Sequence, residues 1–136
     1  MTKLELQDKI VELVNKTSNI SVSDMEKKAL CGKEEYRQGL YFLYNSSETI
    51  IYIGKVGSGE RTSLYDRMKG HGPGSHSKKD KRWYSEVSFG RFNKFDKFND
   101  SEIAVLERLA ISKCGTVYND KDTDDLVIDA LSMLII

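Results

Sequence analysis

The chain has 136 residues, one ordinary core's worth, with 39% hydrophobic residues, 31% charged residues and one proline, a composition that argues against a disordered chain. No apolar run approaches the ~20 residues of a membrane helix, and Met1-Thr2-Lys3-Leu4-Glu5 carries no apolar signal region, so a cytoplasmic protein without membrane contact is expected. The net charge is zero, yet residues 52–97 hold eleven Lys or Arg against five Asp or Glu while the remainder is acidic, an asymmetry that suits a polyanionic partner.

Leu6, Ile10, Leu13 and Val14 recur at helical spacing and predict an amphipathic helix over residues 4–16, broken by the polar stretch 15–19. Ser23 and Glu26 form a capping box for a second short helix that Gly32 would end. These two helices lack the third that braces a helix-turn-helix, so they read as an extension packed on the core. Cys31 and Cys114 fit no metal-ligand spacing and read as free thiols. Residues 39–45 and 49–54, rich in aromatic and β-branched residues around the turn Asn45-Ser46-Ser47-Glu48, predict an antiparallel hairpin.

A helix is expected from Leu64, with Ser63 as its N-cap, and a loop over residues 71–76. Residues 84–92 read as a third strand, with Val87, Phe89 and Arg91 on one face and Ser88 and Phe92 on the other. Residues 103–111 after Ser101 predict a helix that buries Leu106, Leu109 and Ala110, and residues 126–136 predict an apolar C-terminal helix with acids before it. The expected fold is α/β: a small mixed three-stranded sheet flanked by helices. The expected parts are a helical extension over 1–37, a core over 38–120 and a C-terminal helix over 121–136. That last helix is expected to pack on the N-terminal one, with a homodimer through the apolar termini as the rival.

The glycine-rich stretch 54–62 follows a strand but is no phosphate loop, because Glu60 stands where such a loop needs lysine. It reads instead as an extended strand-to-helix loop. More chemistry lies in the set Tyr41, Tyr52, Lys55, Arg67, His71, Glu107 and Asn119. Phosphodiester hydrolysis needs an activated water, charge stabilisation at phosphorus and help for the leaving oxygen. Tyr41, His71 or Lys55 has the chemistry to accept a proton from water, Arg67 presents a fixed fork of donors, and Glu107 suits a single divalent ion. Arg67 and His71 lie four apart, on one helical face. Taken singly, the two tyrosines are ordinary half-buried sheet residues and Arg67 a surface arginine. Glu107 stands out because it falls within an apolar helical pattern.

These residues resemble the GIY-YIG nuclease family. Gly39-Leu40-Tyr41 is similar to its first motif with Leu for Ile, and Tyr52-Ile53-Gly54 matches the second. Leu64-Tyr65-Asp66-Arg67-Met68 resembles the helix of the essential arginine, followed by His71; Leu106-Glu107-Arg108-Leu109 resembles the motif of the metal-binding glutamate, and Tyr118-Asn119 the closing asparagine. The resemblance spans about residues 38–120, and the long Tyr52-to-Arg67 loop resembles the restriction-enzyme branch, while the proline usual before the asparagine is missing. It implies a metal-dependent DNA endonuclease. Tyr41 would orient or deprotonate water with Lys55 or His71, and Tyr52 would pack in the site. Arg67 would bind the scissile phosphate, Glu107 would hold Mg²⁺ or Mn²⁺, and Asn119 would brace the site.

Around that set, Arg61, Lys69, Lys78, Lys79, Lys81 and Arg82 are candidate phosphate contacts, and Trp83 either stacks on a base or turns into the core. Glu102 is a rival metal ligand, and His71 with His76 lacks the third ligand of a zinc site. Two other readings keep the fold without the chemistry: a non-catalytic nucleic-acid-binding module, and a protein-interaction factor working through the helical termini.

Overall fold

The computed structural model of the chain describes residues 2–27, 33–59, 64–71 and 82–116, with the backbone alone for 69–71 and 82. Helix α1 (Lys3–Asn15) starts where the Thr2 hydroxyl accepts the Glu5 amide at 3.1 Å. Strand β1 (Ile20–Ser21) runs directly into the short helix α2 (Val22–Met25). Its N-cap is Ser21, whose hydroxyl accepts the Asp24 amide. The expected cap, Ser23, lies inside the helix within hydrogen-bond distance of Ser21, and at four residues α2 is too short to serve as a recognition helix.

β2 (Gly39–Tyr44) and β3 (Ile50–Val56) form the expected hairpin. Asn45 organises its turn by accepting the Ser47 and Thr49 amides on one side-chain oxygen, both at 3.0 Å. Helix α3 (Leu64–His71) follows, and Arg82–Glu86 forms a 3₁₀ turn before β4 (Phe89–Lys94). The expected strand over 84–92 therefore starts five residues late. Tyr84 and Trp83 satisfy their rings through the turn: the Tyr84 hydroxyl donates to Glu26 at 2.8 Å, and the Trp83 ring meets Tyr84 edge-on. Helix α4 (Asp100–Cys114) opens on a reciprocal capping box between Asn99 and Glu102 and ends at Gly115 in the left-handed region, φ 57°.

The sheet has the order β1-β4-β2-β3 and every pairing is antiparallel, so four antiparallel strands replace the expected mixed three. The extra strand is two residues long, too short to show an alternation. It closes against Gly90, where a β-carbon would stand 2.6 Å from the sulfur of the buried Met25. β2 is the centre: all six of its residues are buried.

Alternation along β2 and β3 divides the interior in two. Leu40, Phe42, Tyr44 and Ile53 face α1 and α4 and pack with Leu6, Ile10, Val14, Leu106 and Leu109. Tyr41, Leu43, Val56 and Phe92 face the other way, toward Met25, Leu64, Met68 and Tyr84. On the first face Gln7 donates to the Leu109 carbonyl at 3.1 Å and Asp8 pairs with Lys113, so the N-terminal helix packs on α4. Its end is tied to the sheet by Asn15, which accepts from the Tyr44 hydroxyl, and by Asn19, which accepts from Arg91. The predicted C-terminal helix lies outside the described residues. Among the described residues no helix is long and apolar enough to cross a membrane.

Candidate active site

The two tripeptides meet in register. Tyr41 pairs with Gly54 across the hairpin, and Leu43 with Tyr52, so both tyrosines project from the same face of the sheet. A β-carbon on Gly54 would stand 2.2 Å from both Cζ and Oη of Tyr41. The second tripeptide thus ends in glycine because the phenol of the first lies across it. Gly39 is required for a different reason: a β-carbon there would fall 2.0 Å from the Asn93 carbonyl oxygen, inside the β2–β4 ladder.

The Tyr41 and Tyr52 rings stack with centroids 6.1 Å apart at 25°, and Trp83 stacks on Tyr52 at 4.7 Å and 14°. Three rings therefore run in series outward from Tyr41, which is 1% exposed, to the half-buried Tyr52 and Trp83. Trp83 thus packs against the core and stays half-buried. The Tyr84–Glu26 hydrogen bond that steadies its turn joins residues 58 apart and left no signal in the sequence.

α3 lies over this face through Leu64 and Met68, both buried, and carries Arg67 between them. Among the described residues the buried Arg67 Nε has no hydrogen-bond partner. α4 lies on the opposite face, and its Glu107 is only 3% exposed. Both charges nevertheless act on one group. Burial holds the Tyr41 phenol well above the ordinary tyrosine range; Tyr52 and Glu107 push the same way, and Arg67 opposes them. Among the described residues β3 is the edge strand of the sheet, and the Tyr41 phenol lies on it where Gly54 leaves room.

Tyr41 and Tyr52 thus stack on one face of the sheet, and the charges of Arg67 on α3 and Glu107 on α4 both bear on the Tyr41 phenol. Lys55 pairs with Leu40, and that register places it on the α4 face, opposite the two tyrosines. His71 closes α3 one turn beyond Arg67, with its side chain outside the described residues, and Asn119 lies wholly outside them. Of the candidate DNA contacts, Arg61, Lys78, Lys79 and Lys81 lie outside as well, and so do the side chains of Lys69 and Arg82. Glu102 is engaged elsewhere, with its carboxylate accepting the Asn99 amide at 2.9 Å. No protein-family model matches the chain, and no curated protein matches it.

Proposed function

We propose that this chain is a divalent-metal-dependent endonuclease that hydrolyses DNA phosphodiester bonds in the manner of the GIY-YIG nucleases. What supports the reading is a buried phenol that feels both a buried carboxylate and a guanidinium whose buried Nε has no hydrogen-bond partner among the described residues. A buried donor without a partner is costly, by about 1–3 kcal/mol, and a phosphate oxygen would satisfy it.

Among the described residues no group of three or more His, Cys, Asp or Glu side chains gathers around a possible ion. The donor set suits Mg²⁺ or Mn²⁺ all the same, since such ions are commonly held by one or two carboxylates with water and substrate phosphate completing the shell. Glu107 is the residue that would hold the ion. Bound there, the ion would neutralise a phosphate oxygen and assist the leaving group.

The remaining steps belong to the chain's own side chains. Arg67 binds the scissile phosphate. Tyr41 stays neutral, its phenol buried and hydrogen-bonded to Tyr52, and the pair orients the attacking water. Tyr52 holds the Tyr41 ring, and Trp83 extends the stacked surface toward solvent, where a nucleobase can lie on it. The proton leaves to a base other than Tyr41, for which His71 at the end of the Arg67 helix is the candidate. Incubation with supercoiled plasmid and Mg²⁺ or Mn²⁺ tests the proposal. Nicking by the wild type is expected, with Arg67→Ala and Glu107→Ala slower by roughly 10²-fold or more. Salt-sensitive DNA binding without cleavage would favour the non-catalytic module instead.

A further inference from the structure

The glycine-rich loop after β3 is bound at three successive residues. The Gln38 amide donates to the Gly57 carbonyl at 3.2 Å. The Ser58 amide and hydroxyl donate to the two carboxylate oxygens of Asp100 at 3.1 and 3.3 Å. Arg37 donates to the Gly59 carbonyl at 2.7 Å. Gln38 also joins this loop to the one before α4: its carbonyl accepts the Phe95 amide at 2.8 Å, and its side chain donates to the Phe98 carbonyl. It does so with a backbone φ of 59°, a conformation that a non-glycine residue adopts only when its surroundings hold it there.

The anchors join the segment that leads to the Arg67 helix to the first turn of the Glu107 helix. Asp100 occupies the first turn of α4, two helical turns before Glu107 on the same rigid element. α3, which carries Arg67, begins five residues after Gly59. Resting on the reading above, we propose that Asp100, with the Arg37–Gln38 corner, is a positioning device that fixes the Arg67 helix relative to the Glu107 helix. Asp100 takes no part in the chemistry. An acid turned onto the Ser58 amide and hydroxyl also makes this part of the loop a poor phosphate contact, so the glycines serve close anchoring rather than DNA binding.

The test compares Asp100→Ala and Asp100→Asn with the full-length wild type, because asparagine keeps an oxygen to accept the Ser58 amide. The first readout is the Arg67 Nε–H resonance by NMR, which is independent of cleavage. It moves in Asp100→Ala and returns toward the wild-type position in Asp100→Asn. In plasmid nicking, Asp100→Ala lowers kcat roughly 10- to 100-fold with KM unchanged, and Asp100→Asn recovers most of it. A change confined to residues 57–59, with Arg67 Nε–H unmoved, overturns the proposal. A loss of kcat that Asp100→Asn fails to restore overturns it too. If the wild type does not cut DNA, the nuclease reading fails, and the Arg67 resonance alone still decides whether the clamp exists.

Discussion

Burial makes Tyr41 a hydrogen-bond donor near neutral pH rather than a base, and this has a consequence for stability. A phenol whose folded pKa is raised contributes stability that is fully present below its unfolded value, near 10, and lost as pH rises beyond it. Phenylalanine cannot ionise. Wild type is therefore expected to exceed Tyr41→Phe by about 1 kcal/mol at pH 8, the typical contribution of one buried hydrogen bond. That margin shrinks by up to about 1.4 kcal/mol per pH unit above 10. Urea unfolding at pH 8 and pH 11 measures it. Tyr36, Tyr44 and Tyr84 are also raised, chiefly by burial, but they are common to both proteins and cancel. A margin that stays constant with pH contradicts the account. The two tripeptide glycines differ at the same scale. Gly54→Ala must displace a buried ring, an overpacking that costs about 1–3 kcal/mol, whereas Gly39→Ala drives into a backbone carbonyl of the ladder. Thermal unfolding is expected to rank Gly39→Ala as the more damaging, and the reverse order would contradict the packing described.

Among the elements, those with strong periodicity or turn chemistry were legible. α1 followed from Leu6, Ile10 and Val14, the hairpin from its β-branched runs around Asn45, and α4 from Ile103 to Ile111. The elements that escaped are those decided by distant partners. Trp83 and Tyr84 have strand propensity, but a hydrogen bond to Glu26 and a stack on Tyr52 hold them in a 3₁₀ turn. β1 depends on the missing side chain of Gly90, 70 residues away. The α4 cap engages the rival carboxylate, Glu102. Glu102→Ala removes half a capping box and is expected to lower stability by about 1 kcal/mol while leaving the metal dependence of nicking unchanged. A shifted Mg²⁺ titration midpoint in Glu102→Ala would return that residue to the metal site.

For the molecule as a whole, the sheet acts as a partition between two interiors. Tyr41 lies in one interior and α4 packs the other, and the charges of Arg67 and Glu107 both bear on the Tyr41 phenol. The order of the motifs named the candidate residues. Their spatial relation was not legible there, because it rests on the Tyr41–Gly54 register and on helices packed on opposite faces. The register also set Lys55 apart from the tyrosines that precede it in the motifs. The most direct test is the rate of plasmid nicking as Mg²⁺ is titrated, for wild type and for Glu107→Gln, which keeps the side chain's shape and removes its charge. The account predicts metal-dependent nicking by the wild type and a loss of roughly 10²-fold or more in Glu107→Gln, with DNA binding retained. Equal nicking by the two proteins, or none by the wild type, would contradict it.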